Sequence, residues 1–213
     1  MLDRMAGESL KALMSGGRTG VSRTEGGARQ SRARALANRL GGRPLVLVGM
    51  MGAGKTTVGR RLANRLGRQF IDSDEEIERA AQMTIPEIFE QRGEPEFRAG
   101  EMRVIARLLR ESDIVLATGG GAFVNPETRA LVKAEAISVW LKADLDVLFE
   151  RVSRRSNRPL LKTADPRGTL EKLIADRYPV YEEADVTVMS RDVPQDNVAA
   201  DVVSAVLDHL RKQ

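Results

Sequence analysis

The sequence predicts an α/β domain built on a mainly parallel sheet, and three features carry that expectation. Short apolar runs recur along the chain, helical patterns separate them, and a glycine-rich turn joins the first run to the first helix. From Pro44 onward the elements follow in order. Leu45-Val46-Leu47-Val48 is a wholly apolar run before glycine, the pattern of a buried strand. A helix over 55–66 stops at Gly67, a second strand begins at Phe70-Ile71, and 74–81 returns to helix. Two further helices are expected over 85–91 and 95–110, the second long and amphipathic, before a buried strand over 114–117. Helix 126–133, strand 137–141 and helix 144–154 lead into a polar segment over 155–168. A helix from Thr169, a strand over 186–188 and a last helix ending at Leu210 complete the pattern, with no internal repeat.

Residues 1–43 read differently. They carry nine Lys/Arg against three Asp/Glu and are rich in Gly, Ser, Thr and Arg, which marks a basic and mostly disordered extension. Within 1–28 only 2–14 looks helical, and 29–41 could form a basic helix ending at Gly41-Gly42. Sequence upstream of the true start and a transit peptide are the other readings of this segment. Residues 44–213 are expected to form the single catalytic domain.

Charge and composition exclude several functions. The net charge of +4 resides in the extension, because the remaining residues carry 25 basic against 27 acidic groups, so a nucleic-acid partner is not supported. Neither a membrane span nor a signal-peptide core is visible, and a cytoplasmic location is expected. There is no cysteine, and the one histidine, His209, lies on the last helix. Chemistry must therefore come from Asp, Glu, Lys, Arg and backbone.

Gly49-Met50-Met51-Gly52-Ala53-Gly54-Lys55-Thr56 is a complete phosphate-binding loop pattern, placed between a buried strand and a helix. Its glycines let backbone N–H groups of Gly52, Ala53, Gly54, Lys55, Thr56 and Thr57 turn around phosphate at a helix N-terminus. Lys55 should reach the β- and γ-phosphates of ATP, and the Thr56 hydroxyl should ligate Mg²⁺. Asp72 and Asp74 follow a strand at a spacing of two, so both can project from the ligand-binding edge of the sheet. Helix capping by Ser73 or Asp74 is the competing role there. Arg98 and Glu101 share a helix face, either as a carboxylate clamp with its orienting partner or as a surface ion pair. Thr118-Gly119-Gly120-Gly121-Ala122 permits close backbone approach to a ligand, or forms a flexible turn. Residues 154–159 are charged and loop-like, the pattern of a solvated surface loop.

Taken together, GKTTVGRRLA (54–63), FIDSD (70–74), GEPEFRAGE (93–101), TGGGA (118–122), RPLL (158–161) and RYPVYEEAD (177–185) resemble the shikimate kinase family across residues 44–210. The resemblance implies a P-loop three-layer α/β/α fold with a five-stranded parallel sheet in the order 2-3-1-4-5. It implies a substrate-binding segment at about 72–101 and a helical lid at about 154–168. Its implied chemistry is ATP-dependent phosphorylation of the 3-hydroxyl of shikimate, leading to chorismate and the aromatic amino acids, by a monomer using Mg²⁺. The resemblance sets Asp72 beside Mg²⁺ and Asp74 on the shikimate hydroxyls. Arg98 and Arg177 clamp its carboxylate, Glu101 orients Arg98, and Gly119, Gly120 and Gly121 line its pocket. Phe89 and Phe97 wall the ring or serve as core. Arg158 closes on the ATP phosphates. Arg151 stacks on adenine, with Arg154 and Arg155 as alternatives, and Pro194 covers the other side. A related gluconate or nucleoside monophosphate kinase, or a regulatory nucleotide-binding module, is the alternative class.

Overall fold

A computed structural model describes residues 20–154 and 163–213, with side chains in the first helix from Gly26 on. Helix α1 (Gly20–Leu40) precedes β1 (Leu45–Val48), α2 (Lys55–Leu66), β2 (Gln69–Asp72), α3 (Ser73–Ala81), α4 (Ile85–Leu108) and β3 (Ile114–Ala117). A 3₁₀ turn over Ala122–Val124 leads to α5 (Pro126–Glu135) and β4 (Ile137–Lys142). Then come α6 (Leu145–Ser153), α7 (Pro166–Tyr181), β5 (Val186–Met189) and α8 (Gln195–Arg211).

The strands pair in the order β2-β3-β1-β4-β5, and every pairing is parallel. β1 and β3 are buried at all four positions, as strands covered by helices on both faces must be, whereas edge strand β5 alternates buried and exposed residues. Parallel register brings the C-terminal ends of β1, β2 and β3 together, with Asp72 opposite Ala117. The first loop, Asp72 and the Thr118 glycine run therefore emerge on one edge, where open α/β sheets bind ligands.

Two helix boundaries bear on the site. α4 is broken at Gly93 (φ 78°, ψ 171°) just ahead of Pro95, which has no N–H to extend the ladder, so the two separately expected helices meet at a kink. α7 begins at Pro166 rather than Thr169, because Asp165 caps it by accepting from Gly168 N–H at 2.9 Å and proline suits the first helical turn. Ile77, Ile88 and Phe97 form a small hydrophobic core of their own, apart from the main one. The segment 72–101 is thus packed as a unit on the side of the sheet.

The reading of residues 1–43 as mostly disordered is corrected for 20–28, and the helix expected over 29–41 is present as the C-terminal part of α1, which ends at Leu40. Ala33, Leu36, Ala37 and Leu40 fall at helical spacing i, i+3, i+4, i+7. Leu36 is fully buried, Ala33 and Leu40 nearly so, and the helix packs on α8 and α2. Average composition concealed this narrow stripe among glycines and arginines. Among the described residues no helix is long and apolar enough to cross a membrane.

Candidate active site

A cleft of about 420 Å³ opens at the sheet edge, lined among others by Gly52, Lys55, Thr56, Asp72, Asp74 and Gly119. One flank is the loop between β1 and α2. Gly52 and Gly54 have φ of 82° and 89°, a left-handed backbone that side chains resist. The loop is also hemmed in, since a Cβ on Gly52 would lie 2.9 Å from Val152 Cγ1 of α6. Lys55 Nζ donates to the carbonyls of Gly49 (2.7 Å) and Met50 (3.0 Å), so the ammonium lies over the loop. Thr57 lines the same flank, while Ala53 is buried beneath it.

Next to this loop, Thr56 Oγ1 donates to Asp72 Oδ2 at 2.8 Å, and Asp72 Oδ1 accepts from the Asp74 N–H at 3.1 Å. Asp72 is therefore the cap of α3, a role expected for Ser73 or Asp74. Ser73 instead accepts from the Gly119 N–H at 3.1 Å, tying the glycine run to the start of α3.

The opposite flank gathers charge around those glycines. A Cβ on Gly119 would lie 2.8 Å from both Asp74 Oδ1 and Glu101 Oε1, and one on Gly121 would lie 2.7 Å from both terminal nitrogens of Arg98. Arg98 donates to Glu101 Oε2 at 2.7 Å and to Glu94 Oε1 at 3.1 Å. Glu101 is only 2% exposed, which removes the surface-ion-pair reading. Burial pushes the Glu101 carboxyl above its ordinary range, and the neighbouring Asp74 charge adds to the rise. The Arg98 contact and the Arg177 charge oppose without cancelling it. Burial works against the Arg98 cation, but Glu101 and Glu94 outweigh it and the guanidinium is held more firmly protonated.

Arg177 enters from α7 and donates to the Gly120 carbonyl at 3.2 Å. Tyr181, one helical turn on and fully buried, donates to the same carbonyl. Burial pushes its phenol up to about 12, with Arg177 opposing. Phe97 is buried in the small core, and Phe89, partly buried, packs on it with ring centroids 4.6 Å apart.

At the third side, Arg151 lines the cleft and donates to Ser190 Oγ at 2.9 Å and the Arg191 carbonyl at 2.7 Å. Arg154 also lines it; Arg155 and Arg158 lie outside the described residues, with most of the expected lid. Pro194 occupies the cap position of α8, and the neighbouring Gln195 is the residue that lines the cleft. Ser190 and Gln195 are contributors that sequence reasoning did not single out. Ser73 and Tyr181 lie within the 70–74 and 177–185 motifs, but Ser73 was considered only as a helix cap and Tyr181 was given no role.

A phosphate-binding loop facing a small pocket of paired arginines and carboxylates, on this sheet order, defines a P-loop kinase with a small-molecule acceptor. The shikimate kinase family model matches residues 51–207. Shikimate kinase of Rhodopseudomonas palustris is 62% identical over 171 residues, covering 80% of this chain and 84% of that protein. That of Bradyrhizobium diazoefficiens is 58% identical over 175 residues, covering 82% and 84%. Among solved structures, shikimate kinase from Acinetobacter baumannii in complex with shikimate aligns with a TM-score of 0.75 at 42% identity, covering 78% of this chain and 93% of that one. A gluconokinase from Sinorhizobium meliloti (TM-score 0.56, 19% identity) shares the fold alone. The chain belongs to the shikimate kinase family.

Proposed function

We propose that the chain transfers the γ-phosphoryl group of ATP to the 3-hydroxyl of shikimate, releasing ADP and shikimate 3-phosphate on the route to chorismate and the aromatic amino acids. The observation that carries this reading is the Arg98–Glu101 pair, buried on one side and facing Gly121 on the other. A fixed guanidinium with donors to spare is a receptor for a planar carboxylate, and Arg177 supplies a second cation beside Gly120. A small acid carrying ring hydroxyls fits that pocket, with Asp74 on the hydroxyl side.

The chain's own residues then divide the work. Asp74 accepts the proton of the attacking hydroxyl as its oxygen bonds to the γ-phosphorus and the bond to the β-phosphate oxygen breaks. Lys55 and the loop amides hold the phosphates and offset the charge that shifts to ADP. Arg151 and Pro194 take the adenine, and Arg158 is assigned to the phosphates by family resemblance. Thr56 and Asp72 would hold Mg²⁺. One hydroxyl and one carboxylate, with no cluster of three acidic or histidine ligands among the described residues, suit an ion that keeps waters and phosphate oxygens as its other ligands. Held by Thr56 and Asp72, that ion would offset negative charge developing on the phosphates. As the family resemblance implies, the proposed enzyme acts as a monomer, and the cytoplasm, which supplies ATP, is its proposed location. Arg98→Lys should raise the shikimate KM by about tenfold or more while leaving the ATP KM near its starting value, because an ammonium cannot form the forked pair. Steady-state kinetics decide it, and an unchanged shikimate KM would assign the carboxylate elsewhere.

A further inference from the structure

Ser190 sits where β5 gives way to the segment leading into α8, and it is 1% exposed. Its own N–H is held by the Lys142 carbonyl at 2.6 Å, so the residue is anchored to the sheet. Its hydroxyl donates to the Ala53 carbonyl at 2.8 Å and accepts from Arg151 at 2.9 Å. Arg151 makes a second bond to the Arg191 carbonyl at 2.7 Å and a longer one to Gly52 at 3.4 Å. One buried hydroxyl therefore joins the phosphate-binding loop to the arginine that lines the cleft beside it.

The bond to Ala53 has a consequence for the loop. The Ala53–Gly54 peptide is trans, so its N–H points away from its carbonyl. With that carbonyl turned to Ser190, the Gly54 N–H faces the other way, and it has no acceptor among the described residues. We propose that Ser190 is a positioning residue for the nucleotide, setting the Gly54 amide toward phosphate and holding the Arg151 guanidinium in the cleft. It touches neither substrate and acts through those two groups.

The inference rests on the nucleotide half of the proposed function, so its test reads nucleotide without acceptor. Thr and Val at this position have nearly the same shape and differ in the hydroxyl. ADP affinity measured by calorimetry should fall about tenfold or more in Ser190→Val, the scale of losing one or two buried hydrogen bonds. Ser190→Thr should stay within about threefold of the parent protein, since the bonds can be remade. The KM for ATP should rise in step in Ser190→Val, with the shikimate KM changed less than about twofold. If Ser190→Val does not fold, Ser190→Ala replaces it with the same expectation. Unaltered ADP affinity in the hydroxyl-free variant, or an equal loss of shikimate and ADP binding, overturns the proposal. A parent protein that binds no ADP would instead overturn the nucleotide reading itself.

Discussion

Gly119 shows how little room the acceptor pocket leaves. Its missing Cβ would lie 2.8 Å from carboxylate oxygens of Asp74 and Glu101, closer than real Cβ contacts come, and Glu101 is pinned by Arg98. Gly119→Ala should therefore displace Asp74 or occupy acceptor space, raising the shikimate KM by about tenfold or more with ADP affinity unchanged. Kinetics paired with ADP calorimetry test it, and a parallel loss of ADP affinity would mean the damage is not local to the pocket. The glycine run, Asp74, Arg98 and Arg177 were legible because each lies in a contiguous motif. Ser190 was not, and Ser73, although inside a motif, was read only as a helix cap, because the roles of both serines are fixed by carbonyls and amides from distant segments that no local pattern encodes. The two tyrosines offer a pH test. Tyr181 is raised from 10.0 to about 12 by burial, and Tyr178 is raised for the same first cause. Because the folded values lie above the unfolded one, the stability these phenols contribute is complete below about pH 10 and is lost as pH climbs toward 12. Ultraviolet titration of the native protein should show little tyrosinate at pH 10, where the denatured chain is half ionised. Normal native titration at pH 10 would show that neither ring is sealed.

At the scale of elements, the helices and strands followed from periodicity wherever the apolar stripe was dense. The exceptions have physical causes. α1 buries a stripe one or two residues wide, largely alanine and leucine, inside a segment whose average character is basic and glycine-rich. Its burial is settled by the faces of α2 and α8 that receive it, which the segment itself does not reveal. α7 extends further back because Asp165 and Pro166 start it inside what reads as a polar loop. Helix α1 also yields a stability prediction. Leu36 is fully buried, so Leu36→Ala should cost about 2–5 kcal/mol, and deleting residues 1–41 should lower Tm by at least as much as that substitution. Thermal or urea unfolding would measure both. A truncated protein as stable as the full chain would show that α1 contributes no net stability.

For the whole molecule, alternation of strand and helix was enough to expect a parallel sheet, but not the order of its strands. That order came with the family motifs, since crossovers are chosen by packing across the sheet rather than by any one segment. The order matters because it sets β1 between β3 and β4, bringing the phosphate loop, the glycine run and α6 around one cleft. The separate small core under α3 and α4 then holds the acceptor side as its own packed unit. The account stands or falls on whether these two halves meet in one reaction with one acceptor. The direct measurement is ADP release by the full chain with Mg²⁺ and ATP, with and without shikimate, and with gluconate or a nucleoside monophosphate in its place. Release should be slow with ATP alone, rise by orders of magnitude with shikimate and yield one shikimate 3-phosphate per ADP. An ADP release that ignores shikimate, or that responds instead to gluconate or a nucleoside monophosphate, would contradict it.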